Sequence, residues 1–312
     1  MSSKVTIVMY HYVRDVNRTA FPGIKARSVK EFENQILFFK KNYNIISIDT
    51  LLSAIFDTGA LPTNPVLLTF DDGYIDHYTN VFPMLRKHNI FGCFYPSGKA
   101  IDEKIVLDVN KIHFILALVH SPEELRDEVF SKLDEYRKEY NLKSNEYYYK
   151  KLCVPNKYDG GNIIFVKRLL QKELPPEVRK DIINSLFIRY VTTDEKDFSE
   201  QLYMSADNLR EMTFDGMHVG SHCYDHYWLD TLSLDKQKDE IGKSLHFLQT
   251  ISGEKGRWTI CYPYGAYNED TLILMEKFKC SAGFTVGERT ADLSVDDMFI
   301  LPRLDTNQLP VR

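Results

Sequence analysis

Short apolar runs alternate with stretches of helical period over the first hundred residues, and again after residue 205. Residues 5–10 read as a strand, and so do 65–69, which are apolar, preceded by turn signals and too brief for a helix. Between them, Ser28 and Glu31 have the spacing of a capping box. Phe32, Ile36, Phe39 and Tyr43 follow at helical spacing. A short strand at 44–47, a helix at 49–58 closed by Gly59, a helix at 74–88 and a strand at 91–95 continue the pattern. Such alternation specifies an α/β protein with a parallel sheet covered by helices. In these sheets sites gather at the carboxyl ends of the strands.

The alternation stops between residues 102 and 204. Ser121-Pro122-Glu123-Glu124 is a helix start, with Leu125, Val129 and Leu133 on one face. Gly160-Gly161 and Pro175-Pro176 punctuate the rest. We read 102–204 as a mainly helical insertion within one catalytic domain spanning 1–312. Tyr147, Tyr148 and Tyr149 could stack on a sugar, but helix packing is the commoner use of such residues. Alternation resumes with a helix at 205–212, a strand at 217–221 and a helix from Ser233 with Ile241, Leu245 and Leu248 as its apolar stripe. A strand at 258–262, a helix at 268–278 and strands at 280–285 and 299–301 complete the chain.

Composition narrows the function classes. The 312 residues carry a formal net charge of -5, 44% hydrophobic and 27% charged residues, as ordinary soluble globular proteins do. Nothing resembles a basic nucleic-acid footprint. After Met1-Ser2-Ser3-Lys4 the apolar run is too short for a signal-peptide core, and no stretch reaches membrane-spanning length. The expectation is a cytoplasmic protein without a transmembrane segment. Five widely spaced cysteines, an odd number, point to reduced thiols. The sequence sets no oligomeric state.

Three segments carry chemistry. Thr69-Phe70-Asp71-Asp72-Gly73-Tyr74 closes the 65–69 strand. Adjacent carboxylates repel, and the repulsion is relieved if one binds a cation while the other holds or awaits a proton. Taken alone, Asp-Gly is also a common turn pair. Gly220-Ser221-His222-Cys223-Tyr224-Asp225-His226 follows another predicted strand. Histidines at i and i+4 meet on one face of a helical turn, and neutral imidazoles are common metal ligands. A polar surface pair is the plain alternative. Two histidines and one carboxylate form a catalytic metal set that leaves a position open for water. The third segment, Cys261-Tyr262-Pro263-Tyr264-Gly265-Ala266-Tyr267-Asn268, sits at a predicted strand end. Its Pro-Gly turn can expose backbone N–H groups to a developing oxyanion, and Tyr262, Pro263 and Tyr267 can offer flat faces to a sugar. By itself it reads equally as a structural loop.

Together, and in this order, the segments resemble the motifs of the polysaccharide deacetylase family, carbohydrate esterase family 4. The resemblance covers 1–101 and 205–312. It implies a distorted (β/α) barrel of the seven-stranded type and removal of acetyl from an N-acetylated sugar. It also implies Asp71 as general base, and Asp72, His222 and His226 as ligands of a divalent metal. Zinc is expected first, with cobalt, nickel or manganese as alternatives. The family's backbone oxyanion donor falls on Tyr264. Tyr262-Pro263-Tyr264-Gly265 is similar to the form found in poly-N-acetylglucosamine deacetylases.

The chain also departs from the pattern. Cys223 replaces the usual hydroxyl residue, and Cys261 stands where many members have an arginine that orients the base. Arg303 is a candidate substitute; a plain surface cation is the competing reading. No Leu-x-His general acid is evident near the carboxyl terminus, and His11 is a candidate for that role beside a structural reading. The expected substrate is an N-acetylated saccharide, such as a precursor of a surface glycan. A hydrolase of another amide or formamide, or a carbohydrate-binding relative that lost the chemistry, are the alternatives.

Overall fold

A computed structural model describes residues 3–57, 59–253 and 257–311. Met1 and Ser2, and Thr58 at the expected end of the second helix, lie outside the described residues. Nine strands are found among these residues: β1 (Lys4–Tyr10), β2 (Asn44–Ile45), β3 (Pro65–Asp72), β4 (Cys93–Pro96), β5 (His218–Val219), β6 (Thr259–Cys261), β7 (Ala282–Val286), β8 (Ala291–Asp292) and β9 (Leu301–Asp305). Seven run parallel in the order β5-β4-β3-β1-β9-β7-β6. A parallel bridge between Ser221 and Ile260 joins the two ends of that path. It is made by Ser221 N donating to Thr259 O at 2.9 Å and Cys261 N donating to Ser221 O at 2.9 Å. The sheet is therefore a distorted (β/α) barrel whose seam closes on one bridge, immediately before His222.

Burial on both faces accounts for the near-continuous apolar strands. All eight residues of β3 are buried. Alternate side chains of a strand point to opposite faces. Ile7, Leu67, Tyr95, Cys261, Phe284 and Leu301 belong to one apolar cluster. Val8, Tyr10, Leu68, Phe70 and Phe94 belong to another, packed against helices. In the second, Phe70 stacks on Tyr10 at 5.1 Å and on Phe94 at 4.8 Å between ring centroids.

The helices, numbered along the chain, begin with α1 (Val29–Asn42), α2 (Ile48–Phe56), α3 (Phe82–His88) and α4 (Gly98–Asp102). Ser28 and Glu31 form the expected capping box on α1. The helix expected over 74–88 is instead a π-turn at 77–81 followed by α3. Pro83 has no N–H to give, and the ladder shifts so that Phe82 N bonds His77 O. Then come α5 (Asp108–Leu118), α6 (Pro122–Tyr136), α7 (Asn145–Leu152), α8 (Gly161–Arg168), α9 (Pro176–Tyr190) and α10 (Glu195–Leu202). The last are α11 (Ala206–Phe214), α12 (Leu234–Ser252) and α13 (Glu269–Lys277).

The chain divides into two compact units. One holds the barrel and comprises the residues up to 15, 26–105 and those from 199 onwards. The other, 16–25 with 106–198, is helical. Its core includes Phe21, Phe114, Phe187 and Phe198 in edge-on contacts. Leu125, Val129 and Leu133 of α6 are fully buried, as their spacing predicts. Tyr149 packs on Phe130 and Phe165, and Tyr148 is buried.

Gly220 sits where the barrel closes. A Cβ there would lie 2.4 Å from the Tyr95 ring and 2.8 Å from Thr259 O. Gly220→Ala is expected to destabilise the protein by about 1–3 kcal/mol, since overpacking forces backbone and rings apart. A thermal melt measures this, and an unchanged midpoint would contradict the tight seam.

Candidate active site

Strand alternation decides where the first carboxylate points. Asp71 shares the parity of Leu67 and Thr69, so its side chain turns to the face where Cys261 and Leu301 also lie. Arg303, two residues beyond Leu301, meets it there. Its Nη1 donates to Asp71 Oδ1 at 2.8 Å and its Nη2 to Oδ2 at 2.7 Å. Nη1 also reaches Thr69 Oγ1 and Cys261 Sγ, each at 3.0 Å. Both members of the pair are 1% exposed. Burial would raise the Asp71 carboxyl, but Arg303, helped by His222, outweighs it and sets it at about 2. Asp71 is therefore a carboxylate throughout the neutral range. Burial likewise pushes the Cys261 thiol well up, leaving it a neutral neighbour.

Asp72 would face the other way, but its backbone is left-handed at φ 71°, followed by Gly73 at φ 73°. This turn brings its carboxylate among the histidines. Oδ2 accepts from Tyr74 Oη at 2.5 Å. Oδ1 is buried without a hydrogen-bond partner, and the Nε2 atoms of His222 and His226 each lie 3.3 Å away. The three ligand atoms fall within 4.8 Å of one another. His222 Nδ1 lies 2.7 Å from Cys261 O. A carbonyl only accepts, so Nδ1 carries a proton, and in the neutral ring the Nε2 lone pair faces Asp72. An orphaned carboxylate oxygen and two imidazole nitrogens converging on one point could hold a divalent cation. Burial opposes the charge of Asp72, yet the two imidazoles hold its carboxyl well below the usual range. Burial lowers His226, whereas for His222 it is outweighed by Asp71 and Asp72, and that ring is raised.

The two histidines do not share a helical turn, as their spacing predicted. They stand on an irregular loop in which Cys223 (φ 61°) and His226 (φ 60°) are left-handed. The loop folds their rings to 4.8 Å between centroids. Tyr264, also left-handed at φ 59°, packs its ring against His226 at 4.9 Å and stacks on Trp228 at 4.1 Å.

The other sequence candidates fall as follows. His11 is partly exposed at the end of β1, and its carbonyl accepts from His77 Nε2 at 2.9 Å. Tyr267 is half-buried. Tyr262 was expected to meet a sugar, yet it is 1% exposed in an apolar cluster with Cys223 and Ile260, and Pro263 is buried too. Arg303 lies in β9, which runs Leu301–Asp305 and not 299–301. The apolar letters Phe299 and Ile300 instead form a turn closed by Ile300 N on Asp297 O. Sequence reasoning gave no role to Tyr74, Trp228 or Glu240. Glu240 is 3% exposed, and burial followed by the nearby Asp225 pushes its carboxyl up to about 7.

The polysaccharide deacetylase family model matches residues 58–133 and 182–283, more than half of the chain, which therefore belongs to that family. YxkH of Bacillus subtilis (strain 168) is 30% identical over 103 residues, 33% of this chain and 35% of that protein. The poly-beta-1,6-N-acetyl-D-glucosamine N-deacetylase of Escherichia coli (strain K12) is 31% identical over 97 residues, 30% of this chain. That match spans only 14% of the E. coli protein. Two solved structures share the fold. Streptococcus pyogenes deacetylase PplD, in complex with acetate, aligns with TM-score 0.59 at 16% identity, over 98% of this chain and 93% of that one. IcaB from Ammonifex degensii aligns with TM-score 0.58 at 17% identity, over 97% and 91%.

Removing Arg303 should leave Asp71 buried and unpaired. Arg303→Met is expected to lose about 3–5 kcal/mol at neutral pH. Asp71 is lowered from 3.8 to about 2 in the folded protein, so its pairing stabilises fully above pH 4 and the benefit fades as pH falls towards 2. The stability gap between wild type and variant should therefore narrow over that window. Denaturant titrations at several pH values measure it; a constant gap would contradict the pairing energetics.

Proposed function

We propose that this protein is a metal-dependent carbohydrate N-deacetylase acting on an N-acetylated sugar, with an N-acetylglucosamine polymer or its precursor as the favoured substrate class. One observation carries the reading: Asp72 Oδ1, buried and unpartnered, faces two imidazole nitrogens beside an ionised Asp71. A pure binding module gains nothing from burying such a set. Family membership and the E. coli relative support the substrate class. No helix among the described residues is long and apolar enough to cross a membrane.

Asp72, His222 and His226 would hold the divalent cation, zinc by its donor set. Held there, the cation supplies Lewis acidity, favouring loss of a proton from water and polarising the acyl carbonyl. Asp71 takes that proton as general base, with Arg303 locking its plane and keeping it ionised. As the water oxygen bonds the acyl carbon, the Tyr264 backbone N–H donates to the developing oxyanion, a contact worth about 3 kcal/mol in comparable sites. His11 then protonates the departing sugar amine as the C–N bond breaks, and acetate leaves. Tyr267 lines the path to the sugar. The reading treats the barrel as one catalytic domain and the helical stretch as an insertion in it.

Acetate release from N-acetylglucosamine oligosaccharides, with and without a chelator, tests this function. We expect release that the chelator abolishes and added zinc restores. Asp71→Asn should keep bound metal and lose at least a hundredfold in turnover. Asp72→Asn should weaken metal binding itself. Full activity in chelated enzyme, or in Arg303→Ala, would overturn the respective assignment.

A further inference from the structure

The loop between the two histidines is strained, and it is gripped from outside. Non-glycine residues in the left-handed region cost about 1–3 kcal/mol each and persist only where their surroundings over-determine them. Here both Cys223 and His226 adopt it. On one side, the segment after β4 takes the loop's carbonyls. Ser97 Oγ donates to His222 O at 3.1 Å, Gly98 N to Cys223 O at 3.3 Å and Lys99 N to Tyr224 O at 3.1 Å.

On the other side, α12 takes the amides. Oε1 of Glu240 accepts from Tyr224 N at 2.9 Å and from Asp225 N at 2.6 Å. One turn later Ser244 Oγ lies 2.6 Å from Ser221 Oγ, which accepts from Cys223 N at 3.0 Å. Amides 223, 224 and 225 are thus all satisfied, directly or through Ser221, by α12. An apolar residue would fill the 240 position of this helix face, beside Ile241, at lower cost. A buried carboxylate is explained by the two amides that need an acceptor.

We propose that Glu240, seconded by Ser244, is a positioning residue for the metal centre. By pinning the 223–225 amides it holds His226 at the distance from Asp72 that a shared cation requires. This rests on the reading of Asp72, His222 and His226 as ligands. Partners one shell beyond metal ligands are typically worth 10–100-fold in metal affinity.

The test is Co2+ affinity of the metal-stripped full chain, by competition with a chromophoric chelator, together with the Co2+ absorption spectrum. Glu240→Ala should bind Co2+ 10–100-fold more weakly, with an altered spectrum. Glu240→Gln, whose amide oxygen still accepts, should recover affinity to within about threefold of wild type. Ile251→Ala in the same helix controls for general destabilisation. It should lower the melting temperature and leave Co2+ affinity within twofold. Should Glu240→Ala fail to fold, Ser244→Ala decides: a loss of threefold or more supports the proposal, and an unchanged affinity overturns it. Glu240→Ala binding as tightly as wild type, or Ile251→Ala losing as much, also overturns it. Wild type that binds no Co2+ would instead bring down the ligand assignment, and this inference with it.

Discussion

An arginine and an aspartate, both sealed from solvent inside a parallel barrel, tie β3 to β9 across the intervening β1. Two fork-like hydrogen bonds fix the carboxylate plane, and Thr69 and Cys261 take up the remaining reach of the guanidinium. Burying either charge alone would be expensive, so each requires the other. The pair also sets the electrostatics next door, because an ionised Asp71 raises His222 while Arg303 balances the charge. An Asp71 that stays ionised follows from that arrangement, and beside it stands Asp72 with one oxygen left open.

Around this pair, the site depends on backbone in unusual conformations. Asp72, Cys223, His226 and Tyr264 are all left-handed non-glycine residues. Each turns a side chain or an amide to a direction that regular strand or helix geometry does not offer. The barrel supports them because its seam closes at Ser221–Ile260, which delivers His222 beside the carbonyl of Cys261. The same seam aligns the loop of His222 and His226 with α12 and with the chain after β4.

The alternation of strands and helices was legible because apolar periods of two and of about three and a half are local properties of the chain. The carboxylate pair could be placed at a strand tip for the same reason: an apolar run ends and Asp-Asp-Gly begins. The histidine pair was seen, but its helical turn was not realised, since the loop is held by contacts with distant segments. Arg303 was legible only as a candidate. The strand was expected to end at 301, before the charge, because the partner that permits burial of Arg303 lies over two hundred residues away. Tyr262 was read as a sugar platform when its ring fills a core. Aromatic residues serve both purposes, and only packing separates them.

Local chemistry in the sequence by itself determined the α/β class, the strand tips that carry reactive groups, and the donor types available to a cation. The tertiary structure alone decided that β5 and β6 meet, that Arg303 enters the barrel to pair with Asp71, and that Glu240 turns inward from its helix. The physical reason is range. Periodicity, capping and turn chemistry act over a few residues. Burial of a charge, closure of a sheet and satisfaction of a strained loop depend on partners that only folding brings within hydrogen-bonding distance.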